Sequence, residues 1–123
     1  MRYMYLVKTC RPGPPPARLF EEMDKLAEKA IKSGAMIDSG GLMPPHMGGA
    51  QIKLEGGKVS VTDMPLAEGK EVVGGYAIFE FKTREEAVQS ALDFMELHRK
   101  FGEGWEGVCE LRPMMGDPHT PQR

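Results

Sequence analysis

The sequence predicts an α+β domain in which a strand–helix–strand unit occurs twice, with a β-hairpin between the two copies. Two segments have the apolar spacing of amphipathic helices, a pair of glycines separates two short alternating segments, and one long apolar run is rich in β-branched and aromatic residues. A length of 123 residues suits one modest core. We therefore expect a single domain over residues 1–113, followed by a poorly ordered tail over 114–123 that contains two prolines.

The first unit begins with an alternating strand over residues 2–10. The prolines at 14–16 end it, because proline has no N–H group for a sheet ladder. Over residues 17–33, apolar side chains recur at steps of three and four, which predicts an amphipathic helix. Gly34 then stands where a left-handed C-terminal cap belongs.

A short strand over residues 35–39 is expected next, running into Gly40-Gly41. After a loop rich in proline, glycine and methionine, residues 52–54 and 59–61 alternate between apolar and polar side chains. The pair Gly56-Gly57 between them is typical of a tight hairpin turn. This is the hairpin inserted between the two strand–helix–strand units.

The second unit begins with the apolar run over residues 72–81, which is typical of a central strand buried on both faces. Thr83 and Glu86 have the spacing of a capping box, and the helix that follows is expected to last to about Lys100. A last strand is expected over residues 105–113. The resulting order predicts a ferredoxin-like split βαβ fold with an inserted hairpin.

Two helices can cover only one face of such a sheet, yet both alternation phases of the strands are apolar. Tyr76 and Ile78 are on one phase of the central strand, and Ala77 and Phe79 are on the other. Both sheet faces are therefore expected to be buried, which predicts a face-to-face homodimer.

Composition and charge argue against several classes of protein. With 16 basic and 18 acidic residues, the net charge of -2 disfavours nucleic-acid binding. No apolar run is long enough to span a membrane and no secretory signal is recognised, so we expect a cytoplasmic protein. The two cysteines, Cys10 and Cys109, are expected to be reduced. The dispersed histidines argue against a dedicated metal site, and His98 and His119 are expected at the surface. We expect no cofactor.

The segment from Val61 to Tyr76, VTDMPLAEGKEVVGGY, closely resembles the signature of the YCII-related, DGPF-type proteins. The resemblance extends to the first strand, to residues 38–44, to the glycine hairpin and to residues 110–113. Asp-Met-Pro-Leu here replaces the usual Asp-Gly-Pro-Phe, so two of four residues differ. The resemblance implies a dimeric α/β barrel in a bacterial cytoplasm, with a cleft near the dimer interface.

Some members of that family place a histidine of the first helix beside a following aspartate. Asp38 fits the aspartate, but residues 17–33 contain no histidine. His46, in the proline and glycine loop, is a candidate replacement base, although an exposed loop histidine is the simpler interpretation. Asp38 and Asp63 are candidate catalytic carboxylates, and each is explained alternatively as a turn aspartate.

Four further residues are candidates for contact with a substrate. Lys70 and Glu71 precede the central strand, where a lysine suits an anionic group and a surface ion pair is the alternative. Tyr76 closes the signature segment, and Met43 belongs to an adaptable loop.

These residues favour a protein that binds a small polar metabolite, with a cofactor-free lyase or isomerase activity as the specific hypothesis. The alternative is a non-catalytic regulatory or protein-binding module, since family relatives often occur alongside extracytoplasmic-function sigma factors. The absence of a histidine from the first helix favours this alternative.

Overall fold

The computed structural model describes residues 1–66 and 68–116. Within these ranges the chain forms six strands and two helices. They are β1 (Arg2–Thr9), α1 (Ala17–Lys32), β2 (Met36–Gly41), β3 (Ala50–Glu55), β4 (Lys58–Asp63), β5 (Val72–Glu80), α2 (Arg84–Phe101) and β6 (Gly107–Pro113).

The main sheet has four strands in the order β2-β5-β1-β6, and all neighbouring strands are antiparallel. This α+β arrangement, with one helix between β1 and β2 and the other between β5 and β6, is compatible with the predicted ferredoxin-like fold. Neither helix is long and apolar enough to cross a membrane, as judged over the described residues.

The core lies between the helices and one face of this sheet. Tyr3 pairs with Phe79 and Tyr5 with Ala77 across β1 and β5, which puts these side chains on one face. Tyr3, Tyr5, Phe79 and Ala87 form the buried cluster, with Ala30 of α1 packed against it. Both helices therefore cover the same face.

The opposite face, here called the open face, carries the other alternation phase. It includes Met4, Leu6, Tyr76 and Ile78, which pair across β1 and β5 and remain only half-buried. The prediction that the central strand is buried on both faces therefore does not hold within a single chain.

The helix ends follow the predicted signals. Gly34 has φ 79°, as a left-handed C-terminal position requires. At the start of α2, the backbone N–H of Glu86 donates to Oγ1 of Thr83 at 3.2 Å. The reciprocal bond is displaced by one residue, because the Glu86 carboxylate accepts from the N–H of Lys82 at 3.3 Å.

Strand β2 continues two residues beyond the predicted end at Ser39. Gly40 pairs with Tyr76 and Gly41 with Gly75, so both glycines belong to the sheet. The register of β1 with β5 skips Gly74, which confirms a bulge in the predicted glycine pair. Asp38 consequently lies within an edge strand, where the prediction put it at a strand end.

The hairpin forms as predicted but as a two-stranded sheet of its own. Ile52 pairs with Val61 and Leu54 with Val59, so four apolar side chains share one exposed face. Beyond β6, the N–H of Met114 still donates to the carbonyl of Arg2 at 2.8 Å. The expectation of a poorly ordered tail falls largely on residues 117–123, which lie outside the described residues.

Candidate functional site

A cavity of about 950 Å³ lies between the inner side of α1 and the helix-covered face of the sheet. Its wall is mostly apolar and is built by both helices, the sheet, the proline loop and the loop after β2. Its lining residues include Leu19, Phe20, Met23, Ala27, Gly40, Met43, Tyr76, Phe94, His98 and Trp105. This volume suits a small organic molecule.

The open face carries a polar pair between β5 and the edge strand β2. The hydroxyl of Tyr76 donates to Oδ2 of Asp38 at 3.2 Å, and the N–H of Ser39 donates to Oδ1 of Asp38 at 2.9 Å. Both carboxylate oxygens therefore have donors, which fixes the orientation of Asp38. The hydrogen bond from Tyr76 to the Asp38 carboxylate, reinforced by the negative charge of Asp38, raises the pKa of Tyr76. Tyr76 thus stays a hydrogen-bond donor at neutral pH.

Gly40 allows this pair to form. A Cβ at position 40 would lie 2.9 Å from Cε1 of Tyr76 and 3.2 Å from its hydroxyl oxygen. The Tyr76 ring therefore lies directly over the glycine and reaches Asp38 two residues away on the same strand. Gly40 therefore makes room for the Tyr76 ring within the sheet, whereas a Cβ at Gly41 would meet no atom within 4 Å.

The other residues predicted for the site lie elsewhere. Met43 contributes to the cavity wall with Tyr76, whereas His46, Asp63, Lys70 and Glu71 are exposed. Among the described residues, these last four do not contribute to the wall. The structure thus joins Asp38 to Tyr76 on the open face, whereas Met43 borders the cavity and His46 does not.

A second polar group occupies the open face. The Lys8 ammonium contacts the Glu110 carboxylate at 2.7 Å, and Arg112 contacts the other Glu110 oxygen at 3.2 Å. The hydrogen bonds from Lys8 and Arg112 lower the pKa of Glu110. The hydrogen bond between Lys8 and Glu110 also raises the pKa of Lys8, and the negative charge of Glu71 contributes slightly to this rise. Glu71 is thus near enough to Lys8 to affect its pKa.

His98 is the residue that sequence reasoning missed. It was expected at the surface, but it is only 6% exposed and its ring packs between Phe94 and Trp105, with centroids 4.6 and 4.5 Å away. A signal was present in the sequence. His98 continues a stripe with Ala87, Ala91 and Phe94 at steps of four, three and four, which is the inner face of α2. His119, the other histidine expected at the surface, lies outside the described residues.

A protein-family model, the YCII-related domain, matches residues 1–94. This chain belongs to the YCII-related family. The match confirms the family predicted from the signature segment. A search of curated proteins found no match. The matched part of this YCII-related chain includes Asp38 and Tyr76, whereas His98 and β6 follow it along the chain.

Among the described residues, no group of three or more histidine, cysteine, aspartate or glutamate side chains has the arrangement of a metal site. The cysteines are free, with Cys10 exposed and Cys109 half-buried. Burial raises the pKa of the Cys109 thiol. This shift makes a thiolate less available and favours a packing role for Cys109.

Proposed function

We propose that this YCII-related protein binds a small organic molecule in the cavity and that Asp38 and Tyr76 form a proton-transfer pair on the open face. The activity would be that of a cofactor-free lyase or isomerase. The volume and the mostly apolar wall of the cavity support binding, and the hydrogen bond between Tyr76 and Asp38 on the open face supports proton transfer.

The chemistry follows from the hydrogen bonds of Asp38. A carboxylate whose two oxygens are held by Ser39 and Tyr76 has a fixed orientation and can accept a proton from a carbon or hydroxyl group. The Tyr76 hydroxyl can return a proton or donate to a developing oxyanion. Asp38 is the proposed base, and Tyr76 orients it and acts as the proposed acid. The proposal assigns no step to Asp63, His46, Lys70 or Glu71.

The cavity wall favours a particular kind of ligand. Because most of the wall is apolar, including Leu19, Met23 and Met43, we expect a molecule with a substantial apolar body. This refines the small polar metabolite expected from the sequence.

We also propose that two copies associate through the open face and form the dimeric barrel. Tyr76 and Ile78 leave apolar surface on that face, while Lys8 and Glu110 beside them supply charges of both signs. The helix-side core of the single chain is small for its length, with only Tyr3, Tyr5, Leu19, Phe79 and Ala87 as buried hydrophobic residues among those described. The sheet of a second copy would cover the apolar side chains of the open face.

Light scattering at micromolar concentration tests this dimer. The expected mass is twice the 13.6 kDa of one chain. Ile78→Glu should shift the mass to that of one chain, because a charge would be buried in the interface. Leu92→Glu is the matched control, since Leu92 is exposed on α2 and should keep the dimer mass. A wild-type mass near 13.6 kDa contradicts the proposal.

A thermal-shift screen against small organic molecules tests the binding site. A ligand at one hundred times its Kd adds about 2.7 kcal/mol of stability, a shift of several degrees for a domain of this size. For ligands that contact the polar pair, the thermal shift should be smaller in Asp38→Asn and Tyr76→Phe. It should be unchanged in Glu55→Gln, since Glu55 is an exposed carboxylate on the hairpin. Turnover of a hit by the wild type, lost in Asp38→Asn, would establish catalysis.

The hairpin favours one alternative, a regulatory module that binds another protein. Its apolar face, formed by Ile52, Leu54, Val59 and Val61, is exposed, and each side chain is at least 65% accessible. Exposed apolar surface of this kind often marks a contact site. Capture of a partner such as a sigma factor by the wild type, lost in Leu54→Ser with Val59→Ser, would support the module. If the double variant still captured the partner, the hairpin would not be the binding surface and this alternative would lose its support.

A further inference from the structure

His98 is a buried ionisable side chain in the cavity wall, and the proposed proton transfer does not use it. It lies in the last turn of α2, where its ring packs between Phe94 and Trp105. His98 is only 6% exposed, and it is one of the residues that line the cavity. Burial of a titratable group in a cavity points to a role in binding.

The hydrogen bond of the imidazole fixes its tautomer. Nδ1 lies 3.0 Å from the carbonyl oxygen of Phe94. A carbonyl oxygen can only accept, so Nδ1 must carry the proton and Nε2 must have a free lone pair. Burial lowers the pKa of His98, the Phe94 carbonyl opposes this shift only in part, and the neutral ring is therefore favoured at neutral pH.

The remaining nitrogen has no partner in the part of the chain that the structure describes. Nδ1 makes the hydrogen bond found for this ring, and Nε2 makes none with the residues described. Among those residues, however, every side-chain nitrogen or oxygen that is fully buried has a hydrogen-bond partner. Nε2 is therefore accessible, and His98 borders the cavity.

The geometry points to His98 Nε2 as a hydrogen-bond acceptor for a phenol-type ligand in the cavity, an inference that rests on the proposed binding function. A hydroxyl group is the donor that a neutral imidazole accepts from, and an aromatic body fits a wall that contains Phe94, Trp105 and Phe79. The charged residues of this wall, Arg11, Asp24 and Glu103, do not hydrogen-bond to the ring. His98 would thus hold the hydroxyl end of a ligand in the cavity.

Phenol and toluene form a matched pair of probes, since they differ by a hydroxyl group in place of a methyl group. NMR titration of the wild type gives both Kd values, and ¹⁵N spectra follow Nε2 of His98. Phenol should move the Nε2 resonance while Nδ1 stays protonated, and toluene should not. An unmoved Nε2 resonance with both probes bound would overturn the assignment without affecting the cavity proposal.

Two variants separate the two nitrogens. His98→Asn keeps a donor near Nδ1 for the Phe94 carbonyl and removes the acceptor, whereas His98→Gln places an amide oxygen near Nε2. The Kd ratio of toluene to phenol should fall about three- to tenfold in His98→Asn, the loss of one hydrogen bond, and less in His98→Gln. An unchanged ratio in His98→Asn overturns the assignment. Failure of both probes to bind the wild type would count against the cavity proposal itself.

Discussion

The imidazole of His98 and the indole of Trp105 lie 4.5 Å apart between ring centroids, tilted by 51°. The short turn after α2 holds this contact. Gly102 donates to the His98 carbonyl, and a Cβ at position 102 would collide with that oxygen and with Trp105. Glu103, with φ 52°, and Gly104 then bring Trp105 back over the helix end. The turn thus closes one end of the cavity.

This contact predicts a pH dependence of stability. Because burial lowers the pKa of His98, the unfolded chain binds a proton at higher pH than the folded chain does. The free energy of unfolding should be constant above about pH 6.5, the ordinary histidine value, and should fall as the pH drops through 6.5 toward the folded pKa. Urea unfolding of the wild type at pH 7.5 and 5.5, compared with His98→Asn, measures this. An equal loss of stability in both proteins would contradict it.

A second prediction concerns Gly40. Gly40→Ala should push the Tyr76 ring aside and break its hydrogen bond to Asp38, because the new Cβ would fall within 3 Å of the ring. The pKa of Tyr76 should then fall toward its ordinary value, since the Asp38 hydrogen bond raises it. Ultraviolet titration of the tyrosines reports this shift. Gly41→Ala, where a Cβ meets no atom within 4 Å, is the control that should titrate like the wild type.

The predictions from sequence were most accurate where local chemistry decides the structure. The helix cap at Thr83, the left-handed Gly34 and the hairpin turn were all identified, because each depends on a few neighbouring residues. Asp38 was also identified as a candidate. Its partner interaction was not, because Tyr76 lies 38 residues away and meets Asp38 only through the pairing of β2 with β5.

His98 shows a different kind of failure. Its residue type suggested the surface, while its position on the Ala87, Ala91 and Phe94 stripe indicated the interior. The tertiary contact with Trp105, across a turn of three residues, makes burial of the imidazole possible. Neither this contact nor the cavity between α1 and the sheet can be derived from local periodicity, because both depend on how the helices pack.

A third prediction concerns the link between β1 and α2. The buried hydroxyl of Tyr5 donates to the Ala87 carbonyl at 2.6 Å, and burial raises the pKa of Tyr5 to about 12. Tyr5→Phe should keep the packing against Phe79 and cost about 0.5–1.5 kcal/mol, the net contribution of one hydrogen bond. Denaturant unfolding measures the loss. A loss above about 3 kcal/mol would mean that the packing of the ring had changed as well.

A fourth prediction concerns the start of α2. Thr83→Ala removes the acceptor for the Glu86 N–H and should destabilise the protein by about 1 kcal/mol. Thr83→Ser keeps a hydroxyl at the same place and should restore most of that stability. Thermal unfolding of the two variants under identical conditions measures this difference in stability. Equal melting temperatures for Thr83→Ala and Thr83→Ser would show that the cap hydroxyl contributes nothing.

The central claim, that the space beneath α1 is a binding site, is tested most directly by filling it. Ala27 lines the cavity, whereas Ala17 at the helix start is exposed and is not part of the wall. We would measure the rise in Tm that saturating toluene gives to the wild type, Ala27→Leu and Ala17→Leu. The account predicts a rise of several degrees in the wild type and Ala17→Leu, and little or none in Ala27→Leu. An equal rise in all three proteins, or none in the wild type, would contradict it.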